Sequence, residues 1–131
     1  MKYRLSFANL NLLTNDIIEV IIDDGVVFSL EMMEEYEQFL VEHFKHDFAI
    51  LVNRVYSYSY SYEVQLSIAS IEQVKAIAIV NYSEQSKFSS AQLIKVRSID
   101  NWNLKEFSGV EMGWQQAFNW LQQELVTLKV T

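Results

Sequence analysis

Seven consecutive residues, Tyr56-Ser57-Tyr58-Ser59-Tyr60-Ser61-Tyr62, hold four of the seven tyrosines in the chain, in strict alternation with serine. Phenols stack on a ligand or partner and also donate hydrogen bonds. Serine hydroxyls beside a helix start can accept phosphate, whose charge the helix end stabilises. Asn53 and Arg54 lead into this run from an apolar segment. The candidate binding set is therefore Asn53, Arg54, Tyr56, Ser57, Tyr58, Ser59, Tyr60, Ser61 and Tyr62. The same residues also suit a plainer role, with the tyrosines covering the top of the core and the serines serving as filler and helix cap.

Other chemistry-bearing groups are fewer. His43 and His46 stand three residues apart beside Glu42 and Asp47. Two imidazoles at that spacing can meet one zinc, but such a site needs further ligands and second-shell partners. Histidines in a last helical turn also interact favourably with the helix dipole, and that reading is adopted, with no metal expected. Asp23 and Asp24 are adjacent carboxylates, which their position before Gly25 explains as turn residues. The chain has no cysteine, so disulfides, thiolate ligands and cysteine nucleophiles are excluded. Gly25, Gly109 and Gly113 are its three glycines, too scattered for a phosphate-binding loop, and no Gly-x-Ser-x-Gly elbow occurs. No catalytic constellation and no cofactor are expected, and the chain is read as a non-enzyme.

The elements that must position these groups follow from periodicity. Leu5, Phe7, Leu10 and Leu12 alternate with polar residues, as half-buried strands do. Ile17 to Ile22 is β-branched and is followed by Asp23-Asp24-Gly25 and Val26-Val27-Phe28, a hairpin signal. Ser29 caps a helix over about 30–46, with Met33, Tyr36, Leu40 and Phe44 at helical spacing and Glu34, Glu35, Glu37 and Glu42 on its outer faces. Phe48 to Val52 and Ala76 to Val80 are short continuous apolar runs, the pattern of strands covered on both sides. Between them Val64, Ile68, Ile71 and Val74 give a second helical stripe. Ser89 and Gln92 suggest a third helix through about Arg97, Trp102, Leu104 and Phe107 a last strand, and Ser108 to Glu111 a capping box. Behind that box Trp114, Ala117, Phe118, Leu121, Leu125 and Leu128 make a final helical stripe.

This order predicts an α/β fold: a single mixed β-sheet with N-terminal antiparallel hairpin strands and about four helices. The 131 residues suit one domain, 1–131, of ordinary globular composition, 50% hydrophobic and 21% charged. The tyrosine run then falls between a buried strand and a helix, at the carboxyl edge of the sheet where ligands usually bind. Ten basic and seventeen acidic residues leave a net charge of −7, with the acid concentrated between Asp16 and Asp47. Such a balance repels nucleic acid at long range, so none is expected as a partner. No apolar run is long enough for a signal peptide or a membrane span, and a cytoplasmic location is expected.

Several segments resemble the SpoIIAA-like branch of the STAS and Sec14-related families of small bacterial domains. They are Asp16-Ile-Ile-Glu-Val with Asp24-Gly25, Phe48-Ala-Ile-Leu-Val-Asn53, Ala76-Ile-Ala-Ile-Val, and Glu106-Phe107-Ser108 ahead of Ala117-Phe-Asn-Trp-Leu121. The resemblance implies a SpoIIAA-like (STAS-like) architecture and a non-catalytic regulatory or protein-interaction role, as in anti-sigma-factor antagonists. It leaves room for a protein partner or a homodimer. Those antagonists carry a phosphorylated serine after the strand that corresponds to Phe48–Val52. Here Asn53-Arg54-Val55 replaces their Asp-Ser-Gly type motif, so no numbered serine inherits the phosphosite. The alternative implied by the Sec14-related members is a small apolar ligand or lipid held in a pocket under the tyrosine loop.

Overall fold

The computed structural model describes residues 1–61, 64, 73–83 and 103–130. Lys2–Arg4 (β1), Ala8–Thr14 (β2) and Ile17–Ile22 (β3) form an antiparallel meander. Val27–Phe28 (β4) precedes a helix over Leu30–His43 (α1), which Ser29 caps by accepting a hydrogen bond from the Met32 amide, as its position predicts. Phe48–Arg54 (β5), Ser59–Tyr60 (β6), Val74–Asn81 (β7) and Leu104–Ser108 (β8) follow. A 3₁₀ turn at Gly109–Glu111 then leads into a helix over Gly113–Val130 (α2).

Six strands make one sheet in the order β1-β2-β3-β5-β7-β8. The meander pairings are antiparallel, while β3·β5, β5·β7 and β7·β8 are parallel. The expected α/β architecture with a mixed sheet and an antiparallel amino-terminal ribbon is thus observed. Strand alternation sends neighbouring side chains to opposite faces. Ile18, Val20, Phe48 and Ile50 share one cluster with Met33 and Leu40 of α1 and with Phe44, which ends it. Ile17, Ala49, Leu51, Ala76, Ala78 and Val80 share the other with Ala117, Leu121 and Leu125 of α2. Three alanines on the second face let α2 approach the sheet closely. The first face is aromatic instead, with Phe44 stacked on Phe48 at 4.1 Å between ring centroids. Burying one such large side chain contributes about 1.5–3 kcal/mol.

Three expectations are corrected. The turn at Asp23-Asp24-Gly25 forms, with Gly25 at φ +78°, but it closes no hairpin. Both edges of β3 are already occupied, by β2 and β5, so the returning β4 pairs in parallel with β6 in a separate two-stranded ribbon. The Ser108 capping box does not form, because Met112 adopts a left-handed conformation (φ +61°) and the helix starts only at Gly113. Val74, read as the end of a helical stripe, opens β7 opposite Phe48.

The described residues contain two α-helices of more than one residue, α1 and α2, against about four expected. The stripe at Ile68 and Ile71 and the third helix around Ser89 to Arg97 lie outside the described residues, as do Tyr62, Trp102 and the side chain of Leu128. Val64 is described, helical and fully buried.

Candidate functional site

Because β3, β5, β7 and β8 run in parallel, their carboxyl ends share one edge of the sheet, the position where open α/β sheets bind ligands. Two different structures occupy that edge. One follows β5 and contains the tyrosine run. The other lies across the ends of β7 and β8.

After β5 the chain turns back onto the α1 face. Ser57 donates its amide to Asp24 Oδ1 at 3.1 Å and accepts the Gly25 amide at 2.7 Å. Ser59 and Ser61 donate theirs to the Val26 and Phe28 carbonyls, at 3.1 and 3.0 Å. This zipper draws Tyr58 into the core beside Phe7 and Phe28, where it is 7% exposed. Arg54, 1% exposed, lays its guanidinium 4.1 Å from the Tyr58 ring centre and 5.5 Å from that of Tyr60, and donates from Nη2 to the Tyr58 carbonyl at 2.8 Å. The Tyr58 and Tyr60 hydroxyls meet at 3.3 Å. Burial pushes the Tyr58 phenol well above its usual pKa, with the neighbouring Tyr60 adding to the shift. Ser61 Oγ accepts the Val64 amide at 3.1 Å, in the manner of a helix cap. Tyr56 is exposed at the outer turn, beside exposed Val55.

Across β7 and β8 the chain leaves a cavity of about 540 Å³. Asn81, Tyr82 and Ser83 line it from the end of β7, Glu106, Phe107 and Ser108 from β8, and Val110 from the 3₁₀ turn. The pairing of Asn81 with Ser108 sets the two strand ends level. Gly109 lies flush against the Tyr82 ring, which a Cβ at that position would strike. Glu106 Oε1 is buried and meets no hydrogen-bond donor among the described residues. A buried acceptor left unsatisfied costs about 1–3 kcal/mol, so natural structures keep few of them.

Behind the Tyr82 wall, on the α2 face, sits a buried polar network. Glu19, in the middle of β3 and 6% exposed, accepts hydrogen bonds from Trp114 Nε1 at 2.7 Å, Asn53 Nδ2 at 2.9 Å and Asn11 Nδ2 at 3.3 Å. Trp114 thereby ties the start of α2 to the sheet, and its ring stacks on Phe118. Burial raises the Tyr82 phenol, the Glu19 charge raises it further, and a hydrogen bond from Asn53 opposes both. Tyr82 therefore belongs to the cavity wall and to the network.

The structure distributes the nine sequence-derived candidates unevenly. Arg54, Tyr58 and Tyr60 come together, Ser57, Ser59 and Ser61 zip the segment to β4 and its preceding turn, and Asn53 faces the other side of the sheet in the Glu19 network. Tyr62 lies outside the described residues. Asn81, Tyr82, Ser83 and Glu106 were not singled out as site residues, although Asn81-Tyr82-Ser83 follows its apolar run just as the tyrosine segment follows Phe48–Val52. His43 stacks on Phe39, and His46 Nε2 lies 3.1 Å from the Asn15 carbonyl. Among the described residues no helix is long and apolar enough to cross a membrane. Comparisons with protein-family models, curated proteins and solved structures return no match.

Proposed function

We propose that the chain is a non-catalytic domain that binds a small molecule in the cavity across the ends of β7 and β8. One observation carries this reading: a concave space of about 540 Å³ opens at the carboxyl edge of parallel strands, with a buried glutamate oxygen in its wall that meets no donor among the described residues. The volume falls in the range of small-molecule sites, about 300–1,000 Å³. The mixture of Tyr82, Phe107 and Val110 with Asn81, Ser83 and Ser108 suits a ligand with an apolar body and a few polar groups. The role is binding, since Glu19 is already held by three donors and serves to fix Trp114 and Asn53. Kinship with SpoIIAA-like domains is proposed on the sequence segments alone, and a cytoplasmic setting on the shortness of the apolar runs. They transfer no residue role.

A thermal-shift screen against a metabolite library tests the reading. Hits should raise the unfolding midpoint of the native chain and lose that effect in Ser108→Trp, which fills the cavity. Hits that stabilise both proteins equally would place binding elsewhere. A second reading, docking of a protein partner at the outer turn of the tyrosine run, is favoured by the exposure of Val55 and Tyr56. Loss of a captured partner in Tyr56→Ser, with stability unchanged, would support it.

A further inference from the structure

We infer that the ligand of the β7–β8 cavity carries a protonated nitrogen, a small ammonium or guanidinium compound, which seats against the Glu106 carboxylate. The inference rests on the cavity being a binding site and adds the charge of what it binds. Glu106 is the one carboxylate among the described lining residues, and no lysine, arginine or histidine is among them. Asn81, Ser83, Ser108 and Tyr82, which share the lining, carry oxygens of the kind that accept hydrogen bonds from an ammonium.

Glu106 Oε1 is buried with no donor from the described residues. A cation supplies donor and counter-charge together, and the last torsion of a glutamate is broad enough to turn the carboxylate toward it. An anionic ligand would bring a second negative charge to the same wall. A neutral hydroxyl would supply a donor without the charge. Aromatic rings complete the match, because a ring face attracts cations. Lys105 places its ammonium 5.4 Å from the centre of the Phe107 ring, so one cation already uses that ring. Tyr82 offers a second ring, held in place by the close approach of Gly109.

Three probes of one shape separate the alternatives: 2-phenylethylamine, 2-phenylethanol and 3-phenylpropionate, titrated calorimetrically into the full chain at moderate salt. The amine should bind about tenfold or more tighter than the alcohol, as a charge-assisted hydrogen bond implies, and the carboxylate should bind weakest. Glu106→Gln should remove the amine's advantage over the alcohol. Glu106→Asp, which keeps the charge, should retain part of it. Equal binding of amine and alcohol, or an amine preference that survives Glu106→Gln, overturns the inference and leaves the cavity reading standing. Such a surviving preference would point to the acidic surface around α1. Failure of all three probes and of the metabolite screen removes the cavity reading and the inference with it. The probe comparison on the native chain does not depend on either variant folding.

Discussion

The carboxyl edge of the sheet is used in two opposite ways. After β5, an aromatic and hydroxyl-rich segment folds back on the protein: backbone groups zip to the turn and to β4, Tyr58 enters the core, and Arg54 covers it. Across β7 and β8, fewer and less conspicuous residues leave a concave space with a glutamate oxygen facing no described donor. Density of chemically active side chains therefore does not by itself show that they are free to bind. Tyrosine is a large apolar body with one polar atom, and a fold that can satisfy that atom gains by burying the rest. A binding site needs polar groups that the fold has not already satisfied.

The strongest way to break this contrast is to truncate the tyrosine end. Tyr58→Ala should cost about 3–5 kcal/mol, the usual range for an aromatic removed from a core, while Tyr56→Ala should stay within about 0.5 kcal/mol. Chemical denaturation of the two variants measures both. Equal, small losses would return Tyr58 to the surface and restore the tyrosine run as a free contact face.

The network behind the cavity gives the next largest effect. Glu19→Ala strips the shared acceptor from Trp114, Asn53 and Asn11 and leaves buried donors unsatisfied, which should cost about 2–3 kcal/mol. It should also blue-shift or red-shift tryptophan emission from the native value, since the Trp114 indole loses its partner. A neutral substitution with unchanged fluorescence would show that the wall needs no such brace.

Much of the fold was legible because the dominant signals were local. The Phe48–Val52 and Ala76–Val80 runs and the Ser29 cap depend on nearest neighbours and on burial, and β5, β7 and α1 appear where those signals put them. What depended on distant partners was not. The Asp-Gly turn has the local chemistry of a hairpin, yet β3 had no vacant edge to receive its return strand. Nothing near Glu19 in sequence announces that an indole 95 residues away will satisfy it. Glu106-Phe107-Ser108 stood out as a shared pattern, but its place beside Asn81 and Tyr82 exists only once β7 and β8 pair. The packing of the tyrosine run was hidden for the complementary reason. Its strict alternation was visible, whereas the Asp24, Gly25 and Val26 groups that bind it lie some thirty residues earlier, and one of these bonds spans 33 positions.

Acid gives the smallest test. Hydrogen bonds from Arg4 lower the Asp23 carboxyl, and those from Ser6 lower that of Glu35. A carboxyl held low in the folded state contributes stability that is complete above its ordinary value, near about 4, and is lost as pH falls through the lowered one. Both groups are partly open to solvent, so the loss should be slight. Asp23→Asn should flatten the acid limb of a stability profile without changing ligand binding at neutral pH. A change in binding would couple the brace of the tyrosine end to the cavity.

The division of labour along the edge is tested most directly by backbone amide chemical shifts of the native chain, recorded while a hit from the thermal-shift screen is titrated in. Perturbations centred on 81–83 and 106–110, with 54–61 silent, are the predicted result. Perturbations centred on 54–61, with the ends of β7 and β8 unmoved, would contradict it.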